Sequence, residues 1–279
     1  GGAHGVAGGP GTVVGMEFSG EIIKCGENVK NLSIGDRVMC SGASVWAEYA
    51  IADYGRVIKI TNNNMDFATA STLPIALATM HNAIVTIGNF SKGQTILIQG
   101  ASSGVGLMGL QIAKHLGAKL VIGTSTKPEK FDKLKSIGAD LVVNSKDKDW
   151  VDHVLQVTNN EGVDLIIDQL SGYTINENMR ASKVKGTIVN VGRLAGGNTE
   201  FNCDLHALRR INYRGVTFRT RSINEIRDVY SKMWNDLGNL VFKGKLSLPI
   251  EKIFEFNDVA DALSCMRENQ HFGKLILKV

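Results

Sequence analysis

The stretch Thr95-Ile-Leu-Ile-Gln-Gly-Ala-Ser-Ser-Gly-Val-Gly106 runs directly into Leu107-Met-Gly-Leu-Gln-Ile-Ala-Lys-His-Leu116, and it decides the fold. Its short apolar, β-branched run reads as a buried strand, and the glycines behind it read as a tight turn. The turn opens at once into a helix on which Gln111, Lys114 and His115 share one face. The remaining helix positions are apolar, as expected for a helix pressed on a sheet. Strand, glycine turn and helix in that order bring backbone N–H groups to a helix N-terminus, where a diphosphate can be held. Gly100, Gly104 and Gly106 suit the turn, the close approach of phosphates and close helix–strand packing. A glycine turn without a ligand is the alternative, and the correctly placed flanking elements argue against it.

Working outward, the pattern repeats. Residues 119–123 read as a second strand, 128–137 as a helix and 140–144 as a third strand. A helix from about Trp150 follows, then strands at 163–168 and 186–192. Strands apolar on both faces and alternating with helices indicate a parallel sheet covered on two sides. The fold class is therefore α/β, a Rossmann-type doubly wound parallel sheet. Asp168 and Gly192 fall at strand C-terminal ends, the rim where such sheets bind ligands.

The end of the second strand selects the dinucleotide. NAD-binding sheets usually place Asp or Glu there for the ribose hydroxyls, whereas NADP-binding ones tolerate a phosphate. Here the residues are Gly123-Thr-Ser-Thr-Lys-Pro-Glu-Lys130, hydroxyls followed by Lys127 and Lys130. Glu129 lies inside the helix start, facing the helix dipole. Missing acid and added positive charge both favour NADPH. The competing reading has Thr124, Ser125 and Thr126 capping the helix and the lysines solvated.

At 279 residues, the chain is long for a single core, so two domains are expected. A hydrophobic content of 43% and a charged content of 21% are ordinary for a globular protein. No apolar run is expected to reach membrane-spanning length, and no signal-like segment opens the sequence. Cys25, Cys40, Cys203 and Cys265 form no CxxC pair, which suggests free thiols in the cytoplasm. The net charge of +4 does not call for nucleic acid. Arg209, Arg210, Arg214, Arg219 and Arg221 do cluster, but split between a helix end and an expected strand over 214–220. They suit cofactor phosphates and a subunit contact better than RNA or DNA.

Short strands with interspersed glycines are expected at 14–26, 27–38 and 47–51, the mark of a small β-rich barrel. After the sheet, 253–256, a helix over 257–269 and 273–279 return to strand, the last completing the first domain. The expected division is 1–82 with 243–279 as the β-rich catalytic domain, and 83–242 as the inserted dinucleotide domain.

Taken in order, Gly15-Met-Glu-Phe-Ser-Gly20, Gly35-Asp-Arg-Val38, Trp46-Ala-Glu-Tyr49, Leu73-Pro74, Thr79, the Gly100–Gly106 turn, Gly138-Ala-Asp140, Gly162-Val-Asp164, Asp168 and Gly273-Lys274 make one pattern. It resembles the medium-chain dehydrogenase/reductase superfamily, specifically its zinc-free quinone oxidoreductase (ζ-crystallin-like) branch. The short-chain dehydrogenases share the glycine spacing but need a Tyr with a Lys four residues on, and none of the five tyrosines has one. The resemblance implies a GroES-like β-rich domain around the Rossmann unit. It also implies that zinc is absent, because Met16 stands where zinc-dependent relatives carry His and no four-cysteine lobe is present.

Residue by residue, the resemblance implies that Ser102, Ser103, Gly104, Val105 and Gly106 hold the diphosphate. Ser125 and Lys130 match contacts to the 2′-phosphate. Ser145 stands where family members often carry a Tyr for that phosphate, so this contact is weakened or replaced. Gly192 and Arg193 would border the nicotinamide ribose, with Phe218 and Arg219, on the strand after the crossover, near the carboxamide. Thr79 would face the nicotinamide, unless its hydroxyl simply bonds its own helix. No general acid or base is identified. The implied activity is metal-free, NADPH-dependent hydride transfer to a quinone or conjugated enone, by a cytoplasmic homodimer paired through the 214–220 edge. The alternative is an NADPH-binding protein with little catalysis that acts through partner or RNA contacts. The opening Gly1-Gly-Ala-His-Gly-Val-Ala-Gly-Gly-Pro10 is unlike the family's first strands, which are expected to be missing.

Overall fold

The computed structural model describes residues 11–279; the glycine-rich stretch 1–10 lies outside the described residues. In chain order the elements are β1 (Glu17–Glu21), β2 (Arg37–Ser41), β3 (Ile58–Lys59), α1 (Phe67–Ser71), α2 (Pro74–His81) and a wider π-helical turn at Asn82–Ile87. Then come β4 (Thr95–Gln99), α3 (Gly104–His115), β5 (Leu120–Thr124), α4 (Phe131–Ile137), β6 (Leu141–Val143) and α5 (Trp150–Val157). These lead to β7 (Val163–Asp168), α6 (Ile175–Ala181), β8 (Ser182–Asn190), α7 (Cys203–Arg209) and β9 (Asn212–Gly215). The chain closes with α8 (Ile223–Phe242), β10 (Ile250–Glu255), α9 (Val259–Glu268) and β11 (Lys274–Lys278). Two compact units result, Thr79–Thr220 and, separately, the residues up to Ala78 together with Arg221–Val279.

The continuous unit is built on a six-stranded sheet in the order β6-β5-β4-β7-β8-β9, every neighbouring pair parallel. From β4 the chain steps outward through β5 and β6, then returns to start again at β7. The strand order thus reverses between β4 and β7, and the crevice that this reversal opens lies beyond the strands' C-terminal ends. Alternating side chains sort the core into two layers. Leu97, Ile122, Val143, Ile166 and Ile188 pack with Trp150, Val151, Val154 and Met179 in one cluster. Ile98 turns the other way, towards α3, where a Cβ on Gly109 would lie 3.4 Å from its Cδ1. Full burial of each such aliphatic side chain contributes about 2 kcal/mol, so a strand buried on both faces is held firmly.

The discontinuous unit carries an antiparallel sheet β1-β2-β3 and a parallel pair β10-β11. Its distant chain segments are joined by polar pairs. Glu17 on β1 meets the Lys274 ammonium on β11 and accepts the Ile75 N–H at 3.1 Å. Burial pushes the Glu17 carboxyl above its ordinary range, against the pull of Lys274. Helix α8 opens on a capping box of Ser222 and Glu225. Its Arg227 grips Asp53 through Nε at 2.9 Å and Nη2 at 2.6 Å, and its Tyr230 hydroxyl donates to Ser41 Oγ at 2.5 Å.

Those bonds explain where the division differs from the sequence reading. The units part at 78/79, inside α2, and at 220/221, rather than at 82/83 and 242/243. Helix α8 follows the sheet in sequence but is tied to Ser41 and Asp53. Two other expectations are corrected. Residues 47–49 form bends and 50–51 are irregular, so no strand runs there. The run Phe67–Ile87 is long and apolar enough, by length and composition, to cross a membrane, but 67% of its apolar 18-residue stretch is buried within the fold, as in a core helix.

Candidate active site

The first turn of α3 is prepared by its cap. Ser103 sits in extended geometry, its Oγ accepts the Gly106 N–H at 3.0 Å, and its carbonyl accepts the Leu107 N–H at 2.8 Å. Four N–H groups open any helix without intrahelical partners. Here the amides of Gly104 and Val105 meet no acceptor among the described residues. Gly100 holds φ +69°, and a Cβ on Gly106 would lie 2.6 Å from the Gly100 carbonyl oxygen. The turn therefore closes against its own helix only because position 106 has no side chain. Main-chain N–H groups presented in this way can hold an anion.

Beneath the turn runs a buried polar chain. The Gly100 N–H donates to Thr124 Oγ1 at 3.0 Å, and that hydroxyl donates to Gln99 Oε1 at 2.7 Å. Gln99 Nε2 donates to Asn178 Oδ1 at 2.6 Å, and Asn178 Nδ2 to Asp168 Oδ2 at 3.1 Å. The other Asp168 oxygen accepts the N–H groups of Leu170 and Ser171 at 2.8 and 2.9 Å. Burial raises the Asp168 carboxyl above its ordinary range, and these donors partly offset the shift. Gln169 clamps the turn from the side: its Nε2 donates to the Gln99 carbonyl, and its Oε1 accepts from Ser103 Oγ at 3.0 Å. The sequence reading missed Gln99, Gln169 and Asn178. A polar residue closing an apolar strand was the only hint.

At the end of β5 the hydroxyls gather. Ser125 is buried, its N–H donates to the Val143 carbonyl at 3.1 Å, and its Oγ stands 3.4 Å from Ser102 Oγ. Ser125 Oγ also accepts the Lys127 N–H, so it serves the following turn as well. Lys130, which closes the 3-10 turn Pro128–Lys130, is only 5% exposed. Ser145, just past β6, is buried and pairs with the Tyr173 hydroxyl at 3.2 Å. The structure thus brings a tyrosine to the Ser145 position from another segment, a neighbour that no local pattern announces.

On the other side of the crevice, the Asp168 carbonyl accepts the N–H groups of Val191 and Gly192 at 2.8 and 3.1 Å. A Cβ on Gly192 would lie 2.4 Å from the Gln169 carbonyl oxygen, so this loop also requires glycine for close approach. Arg193 is exposed, with Nη1 3.4 Å from the Val191 carbonyl. Phe218 and Arg219 are not on a strand, which corrects the expectation. β9 ends at Gly215, and residues 216–220 bend away, with the Arg219 N–H held by Thr217 Oγ1 at 3.2 Å. Thr79 is half-buried on α2.

These features agree with what the comparisons find. Residues 2–62 match the alcohol dehydrogenase GroES-like domain, and residues 104–235 match the zinc-binding dehydrogenase domain. The chain belongs to the medium-chain dehydrogenase/reductase superfamily: a nicotinamide-cofactor oxidoreductase fold, with a Rossmann unit inserted in a GroES-like domain. Among the described residues, no group of three or more His, Cys, Asp or Glu is arranged to hold a metal ion.

Curated relatives include a reducing polyketide synthase of Hypomyces subiculosus and highly reducing polyketide synthase 40 of Fusarium pseudograminearum. Each is 28% identical, over 95% and 99% of this chain respectively. The chain spans only 11% of the length of each. Among solved structures, a Pseudomonas syringae quinone oxidoreductase superposes with a TM-score of 0.85 at 23% identity, over 95% of this chain and 82% of that one. The CurK enoyl reductase gives 0.81 at 24%, over 94% and 78%. A mycobacterial protein solved with NADPH, Rv1454c, gives 0.86 at 22%, over 96% and 83%.

Proposed function

We propose that the chain is an NADPH-dependent enoyl reductase, saturating the conjugated C=C bond of an α,β-unsaturated carbonyl compound. The observation that carries this reading is the end of β5. Buried Ser125 and Lys130 stand there with the Ser102 hydroxyl close by, and no carboxylate occupies the strand end. Hydroxyls and a lysine favour a 2′-phosphate where an acid would favour a bare ribose. The substrate class is supported by the polyketide synthase relatives and by the enoyl reductase of like fold.

The chain's own residues supply position and polarity. The Gly104 and Val105 amides, with Ser102 and Ser103, take the diphosphate. Ser125 and Lys130 take the 2′-phosphate, with Ser145 at its edge. Gly192 and Arg193 border the nicotinamide ribose, while Phe218, Arg219 and Thr79 lie towards the nicotinamide. Reduced nicotinamide, when bound, supplies a hydride. Hydride addition at the substrate β-carbon moves negative charge onto the carbonyl oxygen, and a proton then completes the α-carbon. An acceptor already polarised in this way needs no Lewis acid, only orientation, excluded water and hydrogen-bond donors for the developing charge.

The test follows NADPH absorbance with a short 2-enoyl thioester, a simple conjugated enone and a benzoquinone. The proposal expects NADPH oxidation and a saturated product from the enoyl thioester, with NADH a poorer donor. Faster turnover of the quinone would move the assignment to a quinone reductase. Tight NADPH binding without oxidation by any acceptor would favour a binding protein.

A further inference from the structure

The buried chain beneath the turn has a direction, and one residue sets it. Ionised Asp168 has only acceptors to offer. Asn178 must therefore present its NH2 to Asp168, which leaves its carbonyl for Gln99. Gln99 must then present its own NH2 to Asn178 and its carbonyl to Thr124. Thr124 spends its hydroxyl proton on that carbonyl and keeps a lone pair for the Gly100 N–H. Three side chains, from α6, β4 and β5, are thereby oriented by a single charge on β7, and Asp168, Asn178, Gln99 and Thr124 all lie fully buried. The main-chain carbonyl of Asp168 meanwhile holds the Val191 and Gly192 amides on the other side of the crevice.

We propose that Asp168 is a positioning residue for dinucleotide binding: its carboxylate, relayed through Asn178, Gln99 and Thr124, orients the Gly100 amide and so sets the shape of the Gly100–Gly106 cradle. This rests on the reading of that cradle as the diphosphate site. Buried polar networks of this kind stabilise when every member is satisfied and lose most when one partner is removed. Breaking the relay at either end should therefore disturb the same turn.

The test measures NADPH and NADH affinities of the whole chain by fluorescence titration for Thr124→Val, Asp168→Asn, the double variant and Thr124→Ser. Thr124→Val leaves the Gly100 amide without its acceptor. Asp168→Asn leaves one oxygen to serve donors that two now share. The relay predicts about tenfold weaker binding in each single variant, the scale of a buried donor deprived of its partner. The loss should be equal for the two nucleotides, because the diphosphate is common to both. The double variant should be no worse than the weaker single, and Thr124→Ser, which keeps the hydroxyl, should bind as the parent does. If Asp168→Asn does not fold, the contrast between Thr124→Val and Thr124→Ser decides. Parental affinity in Thr124→Val, or losses that multiply in the double variant, would overturn the relay and leave nucleotide binding standing. A parent chain that binds neither nucleotide would overturn both readings.

Discussion

Lys130 is a long cationic side chain kept almost wholly out of water at the rim of a parallel sheet, with buried Ser125 five positions earlier. A lysine at this strand end can bond a 2′-phosphate, and the hydrogen bond of an ionised pair is worth about 2 kcal/mol. Replacing Lys130 with Met, which keeps the aliphatic stem, is expected to weaken NADPH by roughly thirtyfold while leaving NADH within about twofold. Titration of the variant with both nucleotides measures this, and parallel losses would remove Lys130 from the phosphate site. The relay variants should behave oppositely, costing both nucleotides alike, so the two sets of substitutions report on different ends of the ligand.

At the scale of elements, α8 shows how a helix is claimed by one unit. Asp53 holds it through a two-bond grip on Arg227, whose guanidinium also stacks over the Tyr54 ring at 4.4 Å. The Arg227 bonds keep the Asp53 carboxyl below its ordinary 3.8. A carboxylate lowered in this way adds stability at every pH above its unfolded value and loses it as pH falls through the lower folded one. Arg227→Met should therefore lower the melting temperature at neutral pH, by a margin that shrinks below about pH 4. A margin that stays constant down to pH 2 would show that the helix is held by packing alone.

Such pairings also mark the limit of what the sequence could reveal. The β4–turn–α3 unit was legible because apolar alternation, glycine spacing and helical periodicity lie in one continuous stretch. The sheet strands were legible for the same reason, with their ends shifted by at most four residues. Asp53 and Arg227 are 174 positions apart, and Gln99 and Asn178 are 79 apart; no local pattern joins them. The bend at 216–220 was misread because Val216, Thr217 and Phe218 have strand-forming side chains, and propensity alone cannot see where the sheet partner ends. Of the candidate site, the main-chain cradle could be read in advance. Its polar foundations, and the tyrosine beside Ser145, could not.

For the whole molecule, β9 is the last strand of the six-stranded sheet and, among the described residues, pairs with β8 alone. Unpaired edges readily recruit another strand. We propose that two copies associate through this edge, along Asn212–Gly215 rather than across 214–220. Sedimentation equilibrium should then return twice the mass of the chain; a single-chain mass at micromolar concentration would sink this proposal.

The ion pair between Glu17 and Lys274 spans 257 positions of the chain. A ribosome delivers its two members with the whole dinucleotide-binding unit in between, an interval on the order of ten seconds. Through that interval the newborn β1-β2-β3 segment has neither α8 nor β11 to lean on, while residues 79–220 already have every strand of their own sheet. The dinucleotide-binding unit can therefore mature before the β1-β2-β3 segment, and those strands are the part of this stretch most in need of a chaperone.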